Sequence, residues 1–581
     1  MAPLHVPSYT TVCLVAAVPV LLYALYRFLL PSPFPNIPYD KEGARSLFGD
    51  IPAMLRKGGQ APLDWLITRA YTSGAGPLSQ VFLVPFGRPV LLLMDFHESN
   101  DVMMRRKEWD RSDWSIDFLK GVLPKHQINL KTGPEWKAHR RLLQDLMSPR
   151  FLYDTAAPNL YRSVEKLVAL WQCKADMAQG KPFDAALDVF FTALDGAIEF
   201  GYGEGFSHRS IDPQLAALRD SKASTTTMCQ AATREGQGVV EFQQAPVDDT
   251  VMALLHSADA IEEVGHWPWP RLGWWWYWSK PSSRREAALR KNLNGHQVEL
   301  AVQRMQEQKE SGGVFRSAVD CMVDRERRFA EKEGRQPVFW SETMDNEMTG
   351  FIVAGHDTTS TTISWGLKLL ADHPEAQSRL RQALRDAHAP AAQEGRAPTH
   401  SEIAKGSVPL LDATIEEILR LGGTTTMLER QCNSDTTILG HHVPKGTLLI
   451  MAQRGPSITA PSQTSNASKS YGSDQAAGGS YQVPNWNEED VAQFKPERWL
   501  TKDDKGEVVY DSQAGPMLSF GAGLRGCFGR RLAYVQLKLL VTMLVWHFEF
   551  LACPEELSSY ARVEGLTQKP EFCYVRLQRA V

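Results

Sequence analysis

The stretch that decides the fold lies near the carboxyl end of the chain: Phe520-Gly521-Ala522-Gly523-Leu524-Arg525-Gly526-Cys527-Phe528-Gly529. Glycine lets a backbone bend sharply and lie close to a flat ligand. The loop presents one cysteine and is followed by a predicted helix, Arg530 to His547. A thiolate at a helix start is stabilised by free backbone N–H groups and by the positive end of the helix dipole. The stretch therefore predicts that Cys527 is presented as a thiolate rather than as an ordinary buried loop cysteine.

The spacing of this stretch resembles the heme-binding signature of the cytochrome P-450 family: Phe, two residues, Gly, one residue, Arg, one residue, Cys, one residue and Gly. Every fixed position is matched, and Ala533 matches a further one. The resemblance implies heme b whose iron has Cys527 as axial ligand, with Arg525 paired to a heme propionate and Phe520 packed near the sulfur. It also implies a mainly α fold with a small β-rich lobe, preceded here by one amino-terminal transmembrane helix.

A second motif, Glu417-Ile418-Leu419-Arg420, places a glutamate and an arginine on one face of a helix predicted from Val408 to Leu421. Such pairs are common on solvated helix faces, but this one resembles the Glu-x-x-Arg motif of the same family. The family adds a third partner from a Pro-Glu-Arg stretch, and Arg498 is the candidate here. Because buried charges persist only when paired, we expect Arg498 to complete a structural cluster and not a catalytic one.

A long helix is predicted from Ser341 to Ala371, ending before a proline. Its middle, Ala354-Gly355-His356-Asp357-Thr358-Thr359, contains a glycine and a threonine that can bond back to a carbonyl, which predicts a local distortion. The pattern resembles the family's oxygen-binding motif. The resemblance implies that Asp357 relays protons and that Thr358 positions a water or donates a hydrogen bond. The residues alone also fit a threonine-rich core helix with a solvated aspartate.

A fourth motif pairs Trp136 with Arg140, one turn apart on one face of a predicted helix. The pair resembles the family's Trp-x-x-x-Arg motif, whose indole and guanidinium bind heme propionates. Arg430 stands just before the late strands, where the family often places another propionate partner. The resemblance thus implies three arginines, Arg140, Arg430 and Arg525, against two carboxylates.

The amino-terminal segment, residues 1–30, is almost wholly apolar from Val6 onward. It is long enough for a bilayer core, which needs roughly 20 apolar residues. A cleaved signal peptide would have a shorter apolar region and a small-residue cleavage site, so we interpret the segment as an uncleaved single-pass anchor. A proline-rich spacer follows over residues 31–40, and residues 41–581 form the catalytic domain. Positive charges after the anchor favour a cytosolic domain, and the arrangement resembles endoplasmic-reticulum members of the family.

Composition narrows the classes of function. The 581 residues carry a formal net charge of −4, which gives no reason to expect nucleic acid as a partner. The eight cysteines include no C-x-x-C pair, which argues against a zinc ribbon or a thioredoxin-like site. Residues 457–482 are rich in serine, glycine and alanine and are predicted to be a disordered surface insertion.

The resemblance implies a monooxygenase that inserts one oxygen atom from O2 into a substrate, with electrons from NADPH. The chain has no segment left for a flavin domain, so a separate membrane-bound NADPH–cytochrome P-450 reductase would supply them. Positive charge for steering the reductase would come from Arg530, Arg531, Lys538, Lys137 and Arg141. We expect a lipophilic specialised metabolite as substrate. Two alternatives stay open, a heme-thiolate isomerase or dehydratase that does not use O2 and a non-catalytic heme-binding sensor.

Six of the sixteen tryptophans lie within residues 266–278. Tryptophan favours the membrane interface, and the prolines and Gly273 argue against a regular core helix. In the family this position connects two helices that cover the substrate pocket. We therefore predict a second, monotopic contact with membrane lipid. The alternative is aromatic packing on the protein's own surface.

Overall fold

Helices dominate the computed structural model, which describes residues 9–223, 232–233, 238–265, 267, 269–308, 315–462, 486 and 489–580. In chain order, helices α1 to α21 are Tyr9–Leu29, Lys41–Ala44, Ile51–Lys57, Pro62–Thr72, Phe96–Met104, Asp113–Leu119, Pro134–Leu143, Pro149–Phe151, Ala157–Ala178, Ala186–Tyr202, Ile211–Ala223, Asp249–Gly265, Pro270–Ser279, Pro281–Gln308, Ala318–Glu333, Glu342–Asp372, Pro374–Ala387, Ala389–Gln393, His400–Lys405, Pro409–Gly422 and Arg530–His547. A π-helical turn, Leu152–Ala156, joins α8 to α9 without a break. The 3-10 helices are Gln127–Asn129, Gln144–Met147, Pro496–Trp499, Gly523–Arg525 and Glu555–Leu557.

The strands form small sheets at the side of the helical body. Strands β1 to β16 are Leu78–Val81, Val90–Leu93, Trp109–Asp110, Phe183–Asp184, Ala232–Thr233, Val240–Glu241, Met427–Cys432, Thr436–Ile438, His441–Val443, Leu448–Ala452, Leu500–Lys502, Val508–Tyr510, Phe548–Leu551, Arg562–Glu564, Gln568–Pro570 and Tyr574–Arg579. One five-stranded sheet has the order β1-β2-β10-β7-β3, with β2 and β10 parallel, and the other has the order β13-β16-β4-β6-β5. The pairs β8-β9, β11-β12 and β14-β15 form separate two-stranded ribbons. This is the predicted mainly α fold with a smaller β content.

The helices that carry the motifs begin and end close to their predicted bounds. Ser341 caps α16 by accepting a hydrogen bond from the Met344 N–H, as N-cap serines do. α20 begins at Pro409, where the missing N–H costs no helical hydrogen bond. α21 spans Arg530–His547, as predicted. Its middle and carboxyl-terminal part belong to the largest hydrophobic cluster, so the loop before it is attached to a rigid element.

The local distortion predicted in the middle of α16 is wrong. The helix keeps regular α geometry through residues 354–359. Gly355 serves packing instead, because a Cβ at this position would lie 3.2 Å from the Cβ of Ala197 on α10. The predicted bond back to the chain does form, since Thr358 Oγ1 donates to the Ala354 carbonyl at 2.8 Å. A glycine in the helix here therefore reports close helix packing and not a bulge.

Part of the tryptophan-rich segment, Pro270–Ser279, forms helix α13, a surface helix that the prediction against a regular core helix left open. Pro270 occupies the first turn of this helix, where proline is compatible with helical geometry. Trp274 is buried, and its Nε1 donates to the carbonyls of Asp117 and Phe118 at 3.0 and 3.1 Å. Pro270 thus marks the start of a surface helix.

The sequence predicts two segments outside the packed domain, an amino-terminal anchor and a surface insertion. Within the described residues, none of the helices combines the length and the apolar character that crossing a bilayer requires, so the transmembrane anchor predicted for residues 1–30 finds no support there. The predicted insertion over residues 457–482 is wrong at its start, since Ile458 is buried and its carbonyl accepts a hydrogen bond from Arg420 Nη1 at 2.7 Å. Residues 463–482 of that prediction lie outside the described residues.

Candidate functional site

Cys527 lies in a tight loop directly before α21. Its backbone N–H donates to the carbonyl of Phe520 at 2.8 Å, which closes the loop. Gly521 and Gly523 adopt positive φ values of 59° and 67°, a region that favours glycine. A Cβ on Gly523 would also lie 2.2 Å from the carbonyl oxygen of Met103. Gly521 is therefore required by the backbone conformation, and Gly523 both by its conformation and by packing against α5.

The sulfur of Cys527 is accessible from a cavity of about 840 Å³ that it lines together with Trp136, Arg140 and Phe528. Burial raises the pKa of the Cys527 thiol. The backbone N–H groups of Gly529 and Arg530 and the positive charges of Arg140 and Arg530 act in the opposite direction. These helix-start donors are the ones that the glycine-rich motif predicts. The loop thus gives a thiolate local support at the wall of a cavity.

A cluster of buried arginines lies beside this cavity. It contains four guanidinium groups and two carboxylates, on Arg111, Arg140, Arg430, Arg525, Asp110 and Glu429. Burial, and next to it the charge of Arg111, lowers the pKa of Arg525 to about 10 and that of Arg430 to about 10. Arg525 Nη1 is buried and finds no hydrogen-bond partner among the described residues. A buried donor without a partner and an excess of positive charge indicate an anionic ligand.

Trp136 holds two of these arginines in place. The Cζ atoms of Arg140 and Arg525 lie 5.5 and 5.0 Å from the centroid of its ring. Arg140 also lies 4.7 Å from the ring of Phe528. A cation–π contact of this kind orients the guanidinium group and leaves its N–H groups available to donate hydrogen bonds. The structure therefore brings together Trp136, Arg140, Arg525 and the Cys527 loop. Arg430 joins them from within strand β7 and not from before it.

A buried acid that the sequence motifs did not indicate links α16 to this cluster. Glu347 contacts His139 Nδ1 at 2.8 Å and His126 Nε2 at 3.2 Å. It also accepts a hydrogen bond from the backbone N–H of Gln127 at 2.8 Å. Gln127 Oε1 in turn accepts a hydrogen bond from Arg140 Nη1 at 3.3 Å. Burial lowers the pKa of His126. This network fixes α7, which carries Arg140, against the amino-terminal half of α16.

Asp357 and Thr358 are adjacent on α16 but have different partners. Thr358 is partly exposed, and its hydroxyl is bonded to the Ala354 carbonyl. Asp357 is buried, and its Oδ2 accepts a hydrogen bond from Thr567 Oγ1 at 2.7 Å. Its Oδ1 pairs with Lys569 Nζ, also at 2.7 Å. Because Lys569 on β15 is partly exposed, this pair connects a buried acid in the middle of α16 to the solvent side.

The predicted charge cluster on α20 is confirmed as a buried structural unit. Glu417 accepts two hydrogen bonds from Arg420, at 2.7 and 2.8 Å, and both side chains are fully buried. Arg498 Nε lies 3.2 Å from Glu417 Oε1, as expected for the third partner. Trp499 Nε1 donates to the other carboxylate oxygen at 2.8 Å. The cluster ties the segment of residues 495–499 to α20 and touches neither Cys527 nor Asp357 in any of these contacts.

Four of the five cations predicted to steer an electron donor are exposed and line the cavity that Cys527 faces: Lys137, Arg141, Arg530 and Arg531. The prediction for Lys538 is wrong. Its ammonium group pairs with Asp412 at 2.8 Å and is mostly buried between α20 and α21. Lys538 lies two helical turns beyond the exposed Arg531 and so on nearly the same side of α21, but at that level Asp412 of α20 is close enough to pair with it.

The chain is similar to known proteins in family pattern, in sequence and in structure. The family model described as Cytochrome P450 matches residues 76–454 and 489–573. The cytochrome P450 monooxygenase TRI13 of Fusarium sporotrichioides is 38% identical, over 96% of this chain and 97% of that protein. The cytochrome P450 monooxygenase xilC of Penicillium rubens is 34% identical, over 96% of this chain and 94% of that protein.

Among solved structures, the heme domain of cytochrome P450DA aligns with a TM-score of 0.64 over 95% of this chain and 98% of that chain. The sequence identity is 17%. At this identity the likeness establishes the fold alone. The family assignment therefore rests on the family model and on the fungal relatives, which match nearly the whole chain.

Proposed function

The chain belongs to the cytochrome P450 family, and from this premise we propose which residues bind its cofactor, what donates its electrons and where it works. The activity follows from the family: the protein is a heme-dependent monooxygenase that inserts one oxygen atom from O2 into a substrate. Family members hold the heme iron through a cysteine thiolate, and we propose Cys527 for that role.

The residues of the site fit this cofactor. Heme b carries two carboxylates, and the observation that carries the proposal is the arginine cluster with an excess of positive charge and an unpartnered Arg525 Nη1. The propionates would be bound by Arg140, Arg430 and Arg525. The ring of Trp136 would orient the guanidinium groups of Arg140 and Arg525. When bound, the heme supplies the redox chemistry that activates O2 and transfers one of its atoms.

The protein's own contribution to this chemistry is to deliver protons to the site and to control where they arrive. Asp357 is bonded to Thr567 and Lys569, and the exposed part of Lys569 gives the acid a connection to solvent. Thr358 presents a hydroxyl that is oriented by its bond to the Ala354 carbonyl. We propose that Asp357 delivers protons from the Lys569 side and that Thr358 controls where they arrive.

Replacement of the cysteine tests the assignment of the metal ligand. The reduced carbon-monoxide complex of the wild type should show the thiolate-type Soret band, and Cys527→Ser should lose it. Cys173→Ser, a half-buried cysteine on α9, is the matched control and should keep the band. If the Cys527→Ser spectrum equals that of the wild type, the axial assignment is wrong.

For the electron donor we propose a separate NADPH–cytochrome P450 reductase that docks on the exposed cations around the Cys527 cavity. Long-range attraction of this kind accelerates encounter at low ionic strength and is screened by salt. Lys137→Glu with Arg141→Glu should slow reduction of the heme by about tenfold at low salt, and this difference should shrink in high salt. Arg284→Glu with Arg285→Glu, exposed on α14, should have little effect. Equal slowing by both pairs would contradict the docking face.

For localisation we propose the endoplasmic-reticulum membrane, with the catalytic domain on the cytosolic side and residues 1–30 as a single-pass anchor. The support is the run of exposed apolar side chains on α1, such as Leu21 and Phe28, which water disfavours. We propose a second contact through α13, where Trp275 is 73% exposed and Trp276 and Leu272 are about half exposed. Tryptophan at such a surface is favoured by the membrane interface.

Liposome binding of a truncated protein that lacks residues 1–38 separates the two contacts. We expect it to stay on the vesicles, and Trp275→Ser with Trp276→Ser should release it while heme content holds. Trp274 must be left in place, because it is buried and bonded to α6. Trp340→Ser, at another exposed tryptophan, is the control and should not release the protein. Free solubility of the truncated protein with its tryptophans intact would refute the second contact.

For the substrate we propose a lipophilic specialised metabolite. The support is that relatives matched over nearly the whole chain are cytochrome P450 monooxygenases of the fungi Fusarium sporotrichioides and Penicillium rubens, and that the name of a further relative, from Dothistroma septosporum, refers to a cluster. The contact of α13 with lipid proposed above would suit a substrate that partitions into lipid. Comparison of all detectable metabolites with and without the active protein tests this proposal, and accumulation of a hydrophilic precursor would contradict it.

A further inference from the structure

Behind the Cys527 loop lies a buried acid that is surrounded by aromatic hydroxyl groups. Glu416 of α20 has no exposed surface. Its Oε2 accepts a hydrogen bond from the hydroxyl of Tyr534 on α21. Tyr510 of β12 brings a second hydroxyl to the same carboxyl group. Burial raises the pKa of Glu416 to about 7, so the charge of this group changes close to neutral pH.

A short series of contacts leads from this acid to Cys527. The ring of Tyr534 packs against that of Phe520, with centroids 5.3 Å apart and an interplanar angle of 39°. The carbonyl of Phe520 accepts the hydrogen bond from the Cys527 backbone N–H at 2.8 Å. Two packed rings and one backbone hydrogen bond therefore connect the bond between Glu416 and Tyr534 to the loop.

Arg530 is the cation that the acid and the cysteine share. Its Cζ lies 5.7 Å from the ring centroid of Phe520 and 5.6 Å from that of Tyr534. Burial opposes the charge of Arg530, but Tyr534 and Glu416 raise its pKa overall. The same guanidinium lowers the pKa of Cys527. When Glu416 is ionised it offsets this positive charge, and when Glu416 is neutral the charge acts on the sulfur unopposed.

The other charged groups around Glu416 are already paired. On α20, Asp412 forms an ion pair with Lys538 of α21 at 2.8 Å. Glu417, the next residue of α20, is neutralised by the arginines described above. Asp412 raises the pKa of Glu416, after burial and with a smaller influence than the two tyrosines and Arg530. Tyr534 and Arg530 are therefore the groups through which a change in the charge of Glu416 is felt.

We propose that Glu416, Tyr534 and Phe520 form a positioning chain for Cys527, and that the charge of Glu416 tunes the electron affinity of the metal that this cysteine binds. The proposal rests on the assignment of Cys527 as the axial ligand. A negative charge near the site disfavours an added electron, whereas a neutral acid leaves the positive charge of Arg530 to favour it. Protonation of Glu416 should therefore make the heme easier to reduce.

The reduction potential of the full-length, heme-loaded protein tests this proposal at pH 6, 7 and 8. For the wild type we expect the reduction equilibrium constant to be about tenfold larger at pH 6 than at pH 8, which is about 59 mV for one electron. Glu416→Gln should keep the higher value at all three pH values. Tyr534→Phe keeps the ring on Phe520 and removes the hydroxyl. Since that hydroxyl lowers the pKa of Glu416, its loss should move the transition to higher pH.

Asp412→Asn removes the same charge one turn away on α20, and it should retain a pH transition. The thiolate-type band of the reduced carbon-monoxide complex is recorded for every variant, so a wrong axial ligand is recognised separately from a wrong tuning chain. A wild-type potential that does not change with pH overturns the proposal, and so does a Glu416→Gln variant with the wild-type transition. If Glu416→Gln binds too little heme to be measured, an unshifted transition in Tyr534→Phe overturns it.

Discussion

Glu416 and Glu417 are adjacent buried glutamates. Replacing each by glutamine should change the stability of the fold in opposite directions above neutral pH. Glu417 is bonded to the guanidinium groups of Arg420 and Arg498. Glu416 is bonded to a neutral tyrosine hydroxyl. Both substitutions preserve the size of the side chain and remove one negative charge. They therefore separate the effect of charge pairing from the effect of packing.

Neutralising Glu417 removes the carboxylate that pairs with the buried guanidinium of Arg420, whereas Arg498 keeps Asp490 as a second partner at 3.3 Å. Arg420 has no exposed surface, and its Nη1 is also bonded to the carbonyls of Ile458 and Val491 at 2.7 Å, so it is not free to turn toward solvent. Removing one partner of a buried ion pair costs about 3–5 kcal/mol. Against a typical folding free energy of about 5–15 kcal/mol, Glu417→Gln should lose about a fifth or more of the stability at every pH between 5 and 8.

Neutralising Glu416 should instead stabilise the folded protein above neutral pH. Burial raises the pKa of Glu416 from an ordinary 4.5 to about 7, so the folded state binds this proton more tightly than the unfolded state. The resulting stability is fully present below about pH 4.5 and is lost as the pH rises through about 7. At about 1.4 kcal/mol for each pKa unit, Glu416→Gln should recover about 3 kcal/mol at pH 8 and about 1 kcal/mol or less at pH 5.

Thermal unfolding of the heme-loaded protein at pH 5, 6.5 and 8 measures both effects, with heme content recorded for each variant. The expected pattern is a lower midpoint for Glu417→Gln at all three pH values, and a midpoint for Glu416→Gln that rises above the wild type mainly toward pH 8. A Glu417→Gln midpoint equal to that of the wild type would refute the argument from the buried pair. A Glu416→Gln midpoint that is lowered equally at pH 5 and pH 8 would refute the argument from burial.

Three further predictions concern the helices around the heme site. Thr358→Ala should retain heme but release peroxide, because protons are no longer directed correctly, and an unchanged ratio of product to NADPH consumed would contradict this role. Lys569→Met should lower the same ratio and increase the solvent isotope effect, whereas Lys569→Arg should restore both, and equal behaviour of the two variants would exclude a proton route through this residue. Gly350→Ala would place a Cβ 2.2 Å from His126 Nε2 and should cost about 1–3 kcal/mol, while Gly295→Ala, with 3.7 Å of clearance, should unfold at the wild-type temperature.

The parts of the fold that local chemistry determines could be predicted from the sequence. The bounds of α16, α20 and α21 follow from an N-cap serine, a proline in the first turn and the glycine loop before Arg530. The need for glycine at positions 521 and 523 is predictable for the same reason, since positive φ is a local property. The partnership of Glu417 with Arg498 required the family pattern, because the two residues lie on separate elements.

Contacts between distant segments could not be predicted in this way. The partners of Asp357 come from the β14–β15 hairpin, and Thr567 lies 210 residues further along the chain. The role of Glu347 was also missed, although the place of His139 beside Arg140 offered a weak signal. Gly355 was interpreted as a helix-weakening residue, yet it allows Ala197 to approach. A glycine in a helix has both meanings, and only the packed neighbour decides between them.

The charge balance of the heme site depends on residues that the motifs do not contain. From the sequence, three arginines are matched with two propionates. In the structure a fourth arginine, Arg111, pairs with Glu429 at 3.0 Å and, although burial acts in the opposite direction, lowers the pKa of that acid overall. Asp110 lies 3.9 Å from Arg525. Two of the four positive charges are therefore matched inside the protein and two remain for a ligand with two carboxylates. The site is thus close to neutral once such a ligand is bound, which is the condition under which burying six charged side chains is tolerated.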